Sequence, residues 1–261
     1  MKITVDAIKK NDISFFRVFI KLFFTLFMLT SFILAKESDD INISVENYSL
    51  YENQIKVDLD KNIKIYKKSF QSKLTNVGEI NHSLVNVYEV NKHNLLFLIN
   101  SNTLDNICHV CLPKMSWYNL KFENNKWNIK SKILNVEPYD GSWGNFPTPE
   151  MISIGKDKIA FKYISSYGGQ GVMETHLEIV EYDNVNFKFK SILSLNYGFS
   201  DTGIYEEGKE HNDWEGNIFI VKKDKPYYDI LISKKGKKDI KEYEENQIYK
   251  YQNGKYILDK N

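Results

Sequence analysis

Trp117-Tyr118-Asn119-Leu120-Lys121-Phe122, Glu123-Asn124-Asn125, Lys126-Trp127-Asn128-Ile129 is the stretch that decides the fold class. Apolar residues fall at every second position on both sides of a short polar connection, the pattern of two half-buried antiparallel strands joined by a tight turn. The C-terminus repeats the plan with Ile248-Tyr249-Lys250-Tyr251, Gln252-Asn253-Gly254 and Lys255-Tyr256-Ile257-Leu258. Asn-Gly suits a turn that needs positive φ. Asp183-Asn184 and Lys156-Asp157 mark two further hairpin turns.

Alternating runs recur along the chain. They cover 41–45, 54–59, 62–66, 85–90, 95–99, 158–164, 176–182, 187–195, 218–221 and 227–232, and no helical period is sustained beyond the N-terminal segment. The expected fold is therefore all-β, antiparallel strands and hairpins in a sandwich or a propeller-like stack, following an N-terminal hydrophobic signal helix. No repeat of constant length is visible, which counts against a regular propeller. The segment from Val136 to Glu150 gathers Pro138, Pro147 and Pro149 with Gly141 and Gly144. It marks a sub-boundary within an otherwise single domain spanning 36–261.

Residues 1–35 read as a signal peptide. Lys9, Lys10, Arg17 and Lys21 lead into the uncharged run Leu22–Ala35, 14 residues long, which matches a signal core and falls short of the roughly 20 apolar residues a membrane span needs. Export to the periplasm or the medium is expected, with cleavage after Ala35. Left uncleaved, residues 13–35 would anchor the chain and make its membrane contact.

Cleavage would remove five basic and two acidic residues, leaving 30 basic and 32 acidic, a net charge of about −2. The chain's only Arg, Arg17, would go with them. Nucleic-acid binders concentrate basic charge and use Arg forks on phosphate, so a nucleic-acid partner is not expected. The abundance of Lys, Asn, Ile, Tyr and Phe is read as coding bias, so position and spacing carry the argument instead.

Cys108 and Cys111 are the two cysteines. An oxidising compartment favours joining them, and a structural disulfide is the expected reading. The alternative is thiol-disulfide exchange, which relies on a helix N-terminus beside the motif to lower a thiol pKa. Only Leu112-Pro113 and a hairpin follow here. A metal site would need two further ligands, and no cofactor is expected.

The loop Tyr139-Asp140-Gly141-Ser142-Trp143-Gly144-Asn145-Phe146 combines aromatics with glycines. Such rings can stack on sugars or apolar ligands, or fold back to cap the core. Ser165–Gly171 reads as a glycine-rich connection between strands, and Gln170 joins Tyr139, Trp143 and Phe146 as a candidate binding residue. Glu174 and His176 fall on one face of the next strand, as an acid/base or metal pair or as an ordinary surface pair. The acidic stretch Asp201–Glu215 fits no EF-hand spacing and reads as a solvated loop. No G-x-S-x-G, H-E-x-x-H or P-loop occurs.

The segment Cys108-His109-Val110-Cys111-Leu112-Pro113, with Gly141-Ser142-Trp143-Gly144 and Gly169-Gln170-Gly171, resembles a group of uncharacterised secreted bacterial proteins. Tyr227–Ile232 with Tyr249–Tyr251 and Asn253–Tyr256 resembles blades of secreted proteins with FG-GAP-like, propeller-type repeats. Such blades often carry an Asp-rich calcium loop, whereas Lys222-Lys223-Asp224-Lys225 precedes Tyr227 here. The resemblance implies an exported β protein. The expected function is a non-catalytic binding or interaction module of the envelope, engaging a ligand or an envelope protein. The alternative is an envelope enzyme, either a thiol oxidoreductase using Cys108 and Cys111 or a hydrolase using Glu174 and His176.

Overall fold

The computed structural model describes residues 45–71, 78–103, 105, 108, 111–141, 144–204, 211–239 and 241–260. The expected signal segment lies outside the described residues, and so do Trp143 and His109.

Among the described residues twelve strands run as two antiparallel meanders. The first holds β1 (Ile80–Asn91), β2 (Asn94–Thr103), β3 (Lys114–Glu123) and β4 (Lys126–Val136) in chain order. The second holds β5 (Glu150–Gly155), β6 (Lys158–Gly169), β7 (Val172–Asp183), β8 (Lys188–Ser200), β9 (Asp213–Val221), β10 (Asp229–Lys238), β11 (Lys241–Gln252) and β12 (Lys255–Leu258), also in chain order. The expected all-β, antiparallel class is what the chain adopts. The quoted hairpin is β3–β4, in register Phe122↔Trp127 and Glu123↔Lys126, with Asn124 and Asn125 at φ 55 and 58.

The two sheets pack face to face, as in a sandwich. Tyr88, Leu96, Leu98 and Trp117 of the first meet Phe161, Tyr163, Val180 and Tyr182 of the second. Trp117 and Tyr88 place their rings 4.8 and 4.9 Å from Phe161. A second core lies on the opposite face of β6–β8, where Ala160, Leu177, Ile179 and Ile192 meet Ile230, Ile232 and Tyr256. This is why neighbours such as Ala160–Phe161 and Ile179–Val180 are both buried. β8 and β9 pair only over Gly198–Ser200. The last strands thereby swing over the sheet, and Tyr228 N donates to Ile154 O at 2.8 Å. The 136–150 segment carries the chain from one sheet to the other, and Glu46–Asn261 forms one compact unit.

The structure overturns one expectation about the region before β1. Residues 54–59 and 63–66 belong not to strands but to α1 (Val45–Lys61) and α2 (Ile63–Gln71), with Asn62 at the turn between them. Ile55, Leu59, Tyr66 and Phe70 are buried, spaced by four, seven and four, which is the helical repeat. Val57 and Ile65, which completed the apparent alternation, are 54% and 45% exposed. The helices cover the outer face of the first sheet. Tyr66 Oη and Ser116 Oγ lie 2.6 Å apart, and Tyr118 donates to Asp58 Oδ2 at 3.0 Å. Covered on both faces, β2 needs the unbroken apolar run Leu95–Ile99. Among the described residues no helix is long and apolar enough to cross a membrane.

Candidate functional site

The crossing between the sheets and the far end of β6 enclose a cleft of about 660 Å³. Leu112, Asp140, Phe146, Ile164, Ser165 and Tyr167 are among its lining. It unites the two segments singled out from the sequence, the Tyr139–Phe146 loop and the glycine-rich stretch after Ile164.

That stretch differs from the expected loop. β6 runs on through Gly168 and Gly169, paired with Met173 and Val172, and only Gln170 and Gly171 turn, at φ 54 and 86. Gly171 and Gly203 touch backbone to backbone, with Gly203 N donating to Gly171 O at 3.1 Å. A Cβ on Gly171 would lie 2.3 Å from the Gly203 carbonyl carbon, so a side chain there would displace one of the two turns.

Pleating puts Ser165 and Tyr167 on one face of β6, opposite His176 and Glu174 of β7 in the register Ser165↔His176 and Tyr167↔Glu174. The Tyr167 ring stacks on His176 at 5.2 Å and 11°, its hydroxyl 3.0 Å from Nε2. Glu174 Oε2 lies 3.5 Å from the same nitrogen. The Glu174–His176 pair of the sequence is thus a face-sharing pair joined by Tyr167. The Ser165 hydroxyl donates to Asp140 Oδ2, while Asp140 Oδ1 accepts from Gly141 N at 2.7 Å. The serine proton therefore points to a carboxylate on the facing loop. Among the described residues no group of three or more His, Cys, Asp or Glu converges as a metal site.

Phe146 serves two surfaces, packing against the inter-sheet core and lining the cleft. Tyr139 lies beside the cleft lining, its ring 5.3 Å from Tyr163, and burial raises its phenol pKa. Gln170 stands exposed at the hairpin tip. Trp143 lies outside the described residues.

Cys108 and Cys111 are joined by a disulfide with Cα atoms 4.9 Å apart. Cys111 N donates to Cys108 O at 2.9 Å, closing a tight turn, and Gly144 N donates to Cys111 O at 2.8 Å. Gly144 O in turn accepts from Asn100 and Asn102 side chains at 3.4 and 3.2 Å. The cystine turn therefore braces the loop that walls the cleft. After Cys111 the chain passes through Leu112 and Pro113 into β3.

The acidic stretch is not solvated throughout. Asp201 is 6% exposed and accepts from Asn212 N and Nδ2 at 2.7 and 2.8 Å, clasping the ends of the β8–β9 connection. Glu206, Glu207 and Glu210 lie outside the described residues. Sequence reasoning also missed Ser165 and Tyr167 as cleft residues. The available signal was the alternation of Phe161 and Tyr163, which continues through both.

No protein-family model, no curated protein and no solved structure matches the chain.

Proposed function

We propose that the protein is an exported, non-catalytic binding module of the cell envelope whose ligand occupies the cleft between the Asp140–Pro147 segment and the end of β6. The carrying observation is that one concave site of about 660 Å³ joins apolar walls, Phe146 and Ile164, to a few fixed polar groups, Asp140 and Ser165. Ligand sites combine apolar area with a small number of placed polar groups in this way. The bracing of Gly144 by Cys111, Asn100 and Asn102 holds one wall in place before a ligand arrives, which lowers the ordering cost of binding. Export is supported by the cationic approach and apolar run of residues 1–35, and by a disulfide of the kind oxidising compartments maintain.

The test is a thermal-unfolding screen of metabolite, glycan and peptide libraries against protein purified from cells that export it. At least one compound is expected to raise the melting temperature of the wild type by a few degrees, and Phe146→Ala and Asp140→Ala to abolish that shift while keeping the native circular dichroism. A library that stabilises nothing, or shifts that survive both substitutions, would remove the assignment.

A further inference from the structure

A second cleft, of about 340 Å³, adjoins the first. Ser166, Tyr167 and Gly168 line both, so the two are basins of one groove with Tyr167 at the junction. Tyr167 is 48% exposed, with its ring stacked on His176 and its hydroxyl 3.0 Å from Nε2. A half-exposed ring backed by a stacked partner in a groove is a stacking platform for a flat apolar face.

Hydroxyl groups line the two basins, and a carboxylate lines the first. Ser166 Oγ, 2.8 Å from Thr175 Oγ1, belongs to the face of β6 opposite the Tyr167 ring, and Ser200 Oγ and Thr202 Oγ1 lie 3.1 Å apart beside the second basin. Each hydroxyl donates once and accepts twice, so a pair that shares one hydrogen bond keeps capacity for a ligand hydroxyl. Asp140 supplies carboxylate acceptors in the first basin. Ile164 and Met173, 38% and 51% exposed, add apolar contact on either side of the junction. Among the described residues neither basin is lined by Lys or Arg, and Glu174 stands beside Tyr167. An anionic ligand would meet carboxylates and find no counter-charge.

A ligand that presents hydroxyls along its edges and an apolar face to a ring, carries no charge and spans two basins is a neutral oligosaccharide. We propose that this groove binds one, with Tyr167 stacking on a sugar ring at the junction and Asp140 accepting from its hydroxyls. This rests on the cleft being a ligand site, and names the class of ligand.

Isothermal titration calorimetry with the exported protein tests it, using chito-, cello- and malto-oligosaccharides, their monosaccharides, hyaluronan oligosaccharides and an unstructured peptide as probes. At least one neutral oligosaccharide is expected to bind more tightly than its monosaccharide and than hyaluronan fragments. Tyr167→Ala is expected to weaken that binding about tenfold or more, whereas Tyr167→Phe, which keeps the ring, weakens it about two- to threefold. Both substitutions are at an exposed position, and circular dichroism checks that the fold is kept. Binding of only the peptide or the anionic glycan, or neutral-glycan binding indifferent to Tyr167→Ala, overturns the carbohydrate assignment. If no probe binds but the library screen finds a cleft ligand of another class, the carbohydrate assignment alone falls. If neither experiment finds a cleft ligand, both readings fall.

Discussion

Gln170 holds a left-handed backbone, φ 54, ahead of Gly171 at φ 86. Asn124-Asn125 and Asn253-Gly254 take the same two-residue form, at φ 55 and 58 and at φ 50 and 83. That form matches the twist of the flanking strands, and it costs a residue with a Cβ because the side chain crowds its own carbonyl. Asn bears the cost best, since its short amide bonds locally. Gln, one methylene longer, lacks that compensation. Gln170→Asn is expected to stabilise the protein by roughly 0.5–1 kcal/mol, read as a higher urea midpoint at unchanged slope. An unchanged or lower midpoint would mean that the Gln170 side chain makes a contact that offsets the strain. The same contrast explains what is legible at this scale. The turns at Asn124-Asn125 and Asn253-Gly254 show in the sequence because their residue types encode positive φ. The turn at Gln170-Gly171 does not, because Gly168 and Gly169 look like loop while they pair as strand. Ser165 and Tyr167 are hidden for the same reason: they continue the same-face alternation of Phe161 and Tyr163, but Ser165 is polar and the glycines that follow look like loop.

At the scale of elements, α1 and α2 are where periodicity misleads. Ile55, Val57 and Leu59 satisfy a period of two, whereas Ile55, Leu59, Tyr66 and Phe70 satisfy the helical one. A short apolar run supports both readings, and the first sheet decides between them by needing a cover for Leu95, Phe97 and Ile99. That need is a tertiary fact, invisible in a short window of sequence. The two readings make opposite claims about Val57. In a strand it would share a buried face with Leu59, but in α1 it points outward at 54% exposure while Leu59 is fully buried. Leu59→Ala is expected to cost about 2–5 kcal/mol through lost burial and the cavity left behind, and Val57→Ala at most about 0.5 kcal/mol. Urea unfolding of the two variants checks this. Equal losses would place both side chains in the core and contradict α1.

At the scale of the molecule, the choice of a sandwich over a propeller-like stack is not legible, because it depends on which faces meet. The burial of both faces of β6–β8, with Tyr88, Trp117 and Phe161 on one side and Ile230 and Tyr256 on the other, comes from strand pairings far apart in sequence. One consequence is that many phenols are sealed inside. Tyr66, Tyr118, Tyr163, Tyr197 and Tyr256 all have burial pushing their pKa values up, and burial pushes Tyr88 and Tyr182 up to about 12 from 10.0. Tyr88 also donates to Pro149 O at 2.7 Å, a bond that its phenolate would lose. The sign follows from proton counting. Between pH 10 and 12 the unfolded chain has released these protons while the folded protein still holds them, so the unfolded state binds fewer and stability falls as pH rises. Below pH 10 the contribution of each raised phenol is complete. At pH 11, one unit of difference costs roughly 1.4 kcal/mol for Tyr88 and about as much for Tyr182. The other buried phenols, shifted the same way, add to that loss. Denaturant stability is therefore expected to stay level from pH 7 to about 9.5 and to fall steeply above 10. Phenolate absorbance should then rise together with the loss of strand circular dichroism. Buried phenols that ionise near pH 10 with the strands intact would mean that water reaches the space between the sheets, and that the aromatic layer around Trp117 and Phe161 is not the closed core described.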